Sequence, residues 1–388
     1  VITALAAMQA AGGLEYLVSL AERVMRSRPQ YITFIAPIAC YILTFGAGTQ
    51  NVVYALLPVI AEVSLKAGVR PERPLSISVV GSYFAAVASP VSAVSVAMIG
   101  FLAVAGLSLP SLLMVMVPST FIAVLLGATA VAWRGKELSD DPEYQRRLEA
   151  GEIKLTETAA EHAKHTPSRA KGSATLFLVG VLLVVIIGVF PDIRPAYEVV
   201  KSDGIYSDQV SMGNAIMIVM IAVAGLIMIV FKSSPEETLK SSMMRSGITA
   251  IISILGVSWL GSSFFEGNRE AIVGGISDLV RVYPIAFAGG MFLLSILLFS
   301  QAATVALLIP VGIALGIPMP MLVAFYPASA GLFFLPTYGT SLAAVSFDQT
   351  GTTRIGKYLL NHSFMLPGLV TMVSSIAIAM LLSKLFLS

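Results

Sequence analysis

Residues 44–58 read TFGAGTQNVVYALLP. Apolar sequence flanks this stretch, yet its centre carries Gly46, Gly48, Thr49, Gln50 and Asn51. The arms on either side, 32–45 and 52–61, would be helices of roughly 21 and 15 Å at 1.5 Å per residue. A bilayer's hydrocarbon core is about 30 Å thick, so neither arm crosses it. We therefore expect a re-entrant hairpin that enters the bilayer, turns at GAGTQN and leaves on the side it came from. The tip would hold a small anion.

Composition places the whole chain in a membrane. Of its 388 residues, 56% are hydrophobic and 12% charged, with a mean hydropathy of +0.87; a soluble domain carries about 25% charged residues. The net charge of +2 is spread as short clusters between apolar runs, which points away from nucleic acid. The single Cys40 sits in an apolar run and reads as a small buried hydrophobe. The chain opens at Val1 inside an apolar run, so an absent N-terminal segment is expected. Residues 1–18 have no charged n-region and do not read as a signal peptide.

Apolar runs fall at 1–18, 32–64, 74–106, 110–133, 174–190, 210–231, 246–265, 284–317, 321–347 and 358–386. A membrane helix needs about 20 residues, and only helices or closed barrels satisfy their backbone in lipid. The runs lack a strand's alternation, so the expected class is an all-α membrane protein. Lys and Arg set the orientation. Arg23, Arg26 and Arg28 precede run 32–64, and Lys66, Arg70 and Arg73 follow it. Both loops read as cytoplasmic, which again requires 32–64 to return to its own side. The polar segment 133–173, with eight Lys/Arg, is then a cytoplasmic linker. It separates a first repeat, 1–132 with a partial first helix, from a second half, 174–388. Run 246–265 crosses outward, and hairpin 284–317 enters from outside.

The two halves share a pattern. A polar tip is followed by a proline-broken helix: GTQN, then broken helix 74–106 with ASPVSAVS at 88–95; and SQAAT at 300–304, then broken helix 321–347 with LPTYGTS at 335–341. Pro74 to Pro90 is sixteen residues, as is Pro320 to Pro336. Opposite orientation with a shared pattern is the mark of an inverted-topology repeat, whose substrate site lies at the midplane between the halves.

Four interruptions should therefore meet. The first tip offers Gly48, Thr49, Gln50 and Asn51, and the first break Ser89, Pro90 and Ser92, with Ser95 beyond. The second tip offers Ser300, Gln301 and Thr304. The second break offers Pro336, Thr337, Tyr338, Thr340 and Ser341. None of the four stretches holds Lys, Arg, Asp or Glu. Hydroxyls, amides and helix N-termini can hold an anion without a buried cation. A lone Ser or Thr in such a helix more often bonds its own backbone; the matched set carries the functional reading. Glu62 and Asp348 read as interfacial, and His162 and His165 as part of a solvated linker. No nucleophile–base pair, phosphate loop or metal-ligand spacing is present, so the chain reads as a non-enzyme with no cofactor and no metal.

At this point the residues resemble a known family. AMQAAGGLEYLV, FGAGTQNVVYALLPVIAEV, RPERPLSISVVGS with ASPVSA, LSDDPEYQRRLEAG, LFSQAAT, FFLPTY and DQTGTTRIGKYLLNHSFMLPG are similar to the anaerobic four-carbon dicarboxylate transporters of the DcuA/DcuB type. The similarity spans essentially the whole chain. It implies a carrier of the bacterial inner membrane that exchanges fumarate, malate, aspartate and succinate, with about 50 N-terminal residues outside this sequence. Three positions depart from the family's usual residues: Gln50 for Gly, Tyr83 for Gln and Gly339 for Pro. All three bear on substrate preference.

The expected function is thus secondary transport of C4 dicarboxylates, most simply as an antiporter working by alternating access. The expected partners are small dicarboxylate anions and the lipid bilayer, and no nucleic acid. A sodium- or proton-coupled symporter is the nearest alternative, and an anion channel with the same polar tips is a further one. The sequence leaves open a coupling sodium ion or proton, a homo-oligomer, and a regulatory partner for the linker.

Overall fold

The computed structural model describes residues 1–153, 168–201, 204–245, 283–358 and 360–387, with a few positions between 247 and 268. Most of the crossing expected over 246–265, together with His162 and His165, lies outside the described residues. Six described helical stretches are long and apolar enough to cross a membrane: Pro29–Ala47, Glu72–Ala105, Leu109–Ala132, Ser168–Val189, Met212–Phe231 and Met365–Phe386.

The chain starts with a bend. α1 (Ile2–Ala10) and α2 (Gly13–Ser27) meet at 79°, so run 1–18 is not one straight crossing. The reason is a change of pattern. α1 is apolar throughout, whereas α2 is amphipathic, with Leu14, Ala21 and Met25 buried and Glu15 and Arg23 exposed. A helix with one apolar face lies in the interface plane.

Segment 32–66 is likewise interrupted, although its first arm with the turn ahead of it, Pro29–Ala47, reaches membrane length, longer than the arm 32–45 expected to fall short of a crossing. α3 (Ile32–Ala47) ends at a left-handed Gly48, a 3₁₀ stretch covers Gln50–Ala55, and α4 (Leu57–Lys66) follows. Arg26, just ahead of α3, ion-pairs at 3.0 Å with Glu62 near the end of α4, and Lys66 joins at 2.8 Å.

α5 (Glu72–Ala88) is the axis of the molecule: every one of its residues is buried. It stops at Ser89, and α6 (Ala93–Leu102) resumes after Ser92. α7 (Leu109–Ala132) leads to the short α8 (Pro142–Glu149). α9 (Ser168–Val189) and α10 (Met212–Phe231) flank a polar loop, and α11 (Pro235–Lys240) follows them. The second interrupted hairpin is α12 (Ile285–Leu298) and α13 (Gln301–Ala314). Then come α14 (Met319–Phe325), a kinked 3₁₀ run Tyr326–Phe333, a non-helical stretch, and α15 (Gly339–Phe347). α16 (Met365–Phe386) ends the chain.

One finding departs from an all-α expectation. β1 (Ala196–Lys201) and β2 (Gly204–Gln209) form an antiparallel ribbon, with Ala196 opposite Gln209. It sits in the polar loop between α9 and α10. A ribbon edge needs a source of hydrogen bonds that lipid does not supply, and a polar loop outside the hydrocarbon has water.

The packing is reciprocal. α3 lies along α5, and α12 lies along 326–333. α4 packs on α15, while α13 packs on α6, so each return arm meets the far half of the other broken helix. α7 and α16, which follow the two broken helices, pack against each other.

Loops that carry the basic residues gather at one face. Arg70 is buried between Glu72 (2.7 Å) and Asp141 (2.5 Å), and Arg73 reaches Glu137 at 3.0 Å. Ser363 donates to Glu72 at 2.8 Å, and Arg134 donates to the Ser363 carbonyl at 3.2 Å. Asp348 accepts from Thr350, Thr352 and the Thr353 backbone, which shapes its own loop. Burial works against the Asp141 carboxylate, but the Arg70 guanidinium and the Tyr144 and Glu143 backbone N–H groups outweigh it, and its pKa falls below the ordinary value.

Candidate functional site

The first tip is built against the first break. Gly48 has φ +73°, and a side chain there would bring its Cβ to 2.8 Å from the Val91 carbonyl oxygen. Only glycine gives both the left-handed turn and this approach. Ser89 then ties the two segments, its hydroxyl donating to the Phe45 carbonyl at 2.6 Å. The Thr49 hydroxyl accepts from the Asn51 N–H at 3.3 Å and starts the 3₁₀ turn.

That turn projects Gln50 toward the second half. Its Nε2 donates to the Tyr338 hydroxyl at 2.9 Å, across 288 residues of sequence. The rings of Tyr338 and Tyr83 meet edge to face, with centroids 5.7 Å apart. The Tyr83 hydroxyl lies 2.7 Å from Thr340 Oγ1 and 3.2 Å from Ser341 Oγ, at the start of α15. Gln301, at the second tip, donates to the Tyr83 carbonyl at 2.9 Å. Gln50, Tyr338, Thr340, Ser341 and Gln301 thus converge around Tyr83.

The first break is stitched from within. Ser92 caps α6 by accepting from the Ser95 N–H at 3.1 Å. Ser95 donates to the Val87 carbonyl at 3.0 Å, across the gap at Pro90, and lies 3.2 Å from the Tyr326 hydroxyl. Pro90 and Pro336, which lack an N–H, sit where the helices stop, and both are buried. Ser300 and Thr304 behave differently. Ser300 accepts from the Ala303 N–H at 3.2 Å and Thr304 donates to the Ser300 carbonyl at 2.8 Å, so both serve their own helix end.

Two expected residues keep open side chains. Asn51 is half-buried and Thr337 exposed, and neither side chain makes a hydrogen bond among the described residues. They leave amide and hydroxyl donors free beside the Gln50–Tyr338 bridge. None of the residues gathered here is charged. A dicarboxylate in such a place would be held by neutral donors whose strength rises as water is excluded.

One participant lies outside the sequence expectation for the site: Tyr326. A tyrosine buried in an apolar run needs a partner for its hydroxyl, and that requirement is the signal that points to it. The structure also brings together the three positions at which the chain departs from its resemblance. Gln50 bonds Tyr338, Tyr83 meets Tyr338 edge to face, and Gly339 follows it.

Comparisons with known proteins identify the family. The profile of the DcuA/DcuB family, described as anaerobic C4-dicarboxylate membrane transporters, matches residues 1–387. The C4-dicarboxylate transporter DcuA of Wolinella succinogenes is 42% identical over 388 residues, covering 100% of this chain and 87% of the relative. DcuA of Escherichia coli K12 matches to the same extent, with 42% identity over 388 residues and the same coverage. The anaerobic C4-dicarboxylate transporter DcuB of Escherichia coli O6:H1 is 36% identical over 378 residues, covering 95% of this chain and 83% of the relative. These relatives are named as membrane transporters, not enzymes. With its membrane-length helices the chain is a multi-pass protein of the bacterial inner membrane. It belongs to the DcuA/DcuB family of anaerobic C4-dicarboxylate membrane transporters.

Proposed function

We propose that the chain carries C4 dicarboxylates such as fumarate, succinate, malate and aspartate across the membrane as an exchanger. The observation that carries this reading is the Gln50–Tyr338 bridge. It joins the tip of one interrupted hairpin to the break of the other half, in a neighbourhood of uncharged donors. The relatives' names supply the substrate class.

Alternating access needs two units that move relative to each other. Here the mobile unit is the two re-entrant hairpins with the two broken helices, arranged as an inverted repeat. The Arg26–Glu62 pair supports a hairpin that returns to its own side. The exchange of return arms, α4 on α15 and α13 on α6, supports the repeat. The site then lies between Asn51 and Thr337, with Gln50, Tyr338, Thr340 and Ser341 behind them.

Exchange also fits the energetics. Moving a dianion alone against 100 mV costs about 4.6 kcal/mol, at about 2.3 kcal/mol per charge. Swapping one dianion for another moves no net charge. The test is counterflow in proteoliposomes bearing the full-length protein. Internal succinate should accelerate uptake of labelled fumarate with no sodium gradient. Uptake that requires sodium and ignores internal succinate would replace exchange by symport. Flux that neither saturates nor responds to internal substrate would replace it by a channel.

A further inference from the structure

Beside the tip stands a tyrosine to which no role has been given. Tyr54 lies four residues after Gln50 on the same 3₁₀ stretch. Gln50 bonds Tyr338, and Tyr54 covers the next residue, Gly339. A methyl group at 339 would run into the Tyr54 hydroxyl oxygen, while the ring carbon that bears this oxygen would be 3.5 Å away, an ordinary contact. The glycine is therefore matched to the hydroxyl, not to the ring. Yet the hydroxyl has no hydrogen-bond partner among the described residues, and Tyr54 stays 38% exposed. The hydroxyls around it differ: those of Tyr83, Thr340 and Ser341 are buried and bonded to one another. A part-exposed phenol beside neutral donors, with no hydrogen-bond partner among the described residues, is placed to donate to something that comes and goes.

We propose that Tyr54 is a substrate-binding residue, its hydroxyl donating to one carboxylate of the C4 dianion, and that Gly339 is the residue whose missing side chain lets the hydroxyl stand there. This rests on the transport reading above. Hydrogen bonds to a charged group are the strong ones, and removing one weakens binding by about tenfold or more. A contact made equally with bound substrate throughout the cycle shows in KM and spares the maximal rate.

The test is saturable succinate uptake by full-length wild-type, Y54F, G339A and Y54F/G339A proteins in proteoliposomes, at equal reconstituted amounts. Y54F should raise KM about tenfold with a maximal rate within about twofold of wild type. G339A should raise KM by at least as much, because the new methyl displaces the hydroxyl. The double variant, with the clash removed, should match Y54F alone. That equality is a non-additivity which two separate structural defects would not produce. Y54F with a wild-type KM, or a double variant whose losses multiply, would overturn the assignment while wild-type uptake leaves the transport reading standing. Absence of succinate uptake by the wild type would overturn the transport reading itself.

Discussion

The Tyr326 hydroxyl stands 3.2 Å from Ser95 Oγ, a contact across 231 residues of sequence. It has a counterpart: the Tyr83 hydroxyl stands 3.2 Å from Ser341 Oγ. Ser95 is five residues after Pro90, and Ser341 is five residues after Pro336. Each broken helix thus resumes on a hydroxyl that meets a tyrosine from the other half. Four free helix ends in lipid would be costly, and this exchange lets each half complete the other.

Removing either tyrosine hydroxyl should therefore loosen the molecule. Tyr83→Phe leaves Thr340 and Ser341 without that partner in a buried place, at a cost of about 1–3 kcal/mol. Tyr326→Phe removes one partner of Ser95, which keeps its bond to the Val87 carbonyl, and should cost less. Thermal unfolding in detergent checks this order. Equal melting temperatures for wild type and Tyr83→Phe would show that the pairing does not stabilise the fold.

The tip glycines should separate cleanly. Gly48→Ala places a methyl against the Val91 carbonyl in a left-handed backbone, which costs roughly 1–2 kcal/mol for the backbone alone. It should abolish uptake. Gly46→Ala meets Leu178 at 3.6 Å, an ordinary contact within α3. Its uptake should stay within about twofold of wild type. Uptake assays at matched expression distinguish the two.

The linker face is expected to respond to acid. The pKa of Asp141 is lowered in the folded protein, so its contribution is fully present above its ordinary value of 3.8 and is lost as pH falls through the lower folded value. Asp141→Asn removes the charge opposite Arg70 at any pH. Limited trypsin digestion of the variant at neutral pH should cut the linker faster than in wild type, and the melting temperature of wild type should fall toward that of the variant as the pH drops below about 4. Transport by the variant should remain within about twofold, because a tether need only connect the halves. Identical digestion of variant and wild type at neutral pH would contradict a holding role for the Arg70–Asp141 pair.

Much of the fold is legible from residue chemistry. Gly46, Gly48 and Thr49 announce the first turn because they punctuate sequence that otherwise belongs in lipid. Arg26 and Lys66, from the basic loops at the two ends of the segment, both reach Glu62. The breaks at Pro90 and Pro336 follow from a missing N–H. The bend at Gly12 is hidden, because residues 1–18 are apolar on both sides of it and the amphipathic pattern of α2 emerges only further on. The β-ribbon is hidden by an acidic loop composition. Ser300 and Thr304 look like site residues because hydroxyls at a helix start can face a ligand or cap the helix, and composition does not separate the two. Tyr326 is hidden for a different reason. In an apolar run a tyrosine reads as bulk, and its partner Ser95 lies 231 residues away.

Isothermal titration of succinate into purified full-length protein tests the central claim most directly: the first tip and the second break form one uncharged dicarboxylate site. Wild type should bind, and Asn51→Ala and Thr337→Ala should each weaken binding at least tenfold with unchanged melting temperature. Succinate binding as tight in both variants as in wild type would contradict it.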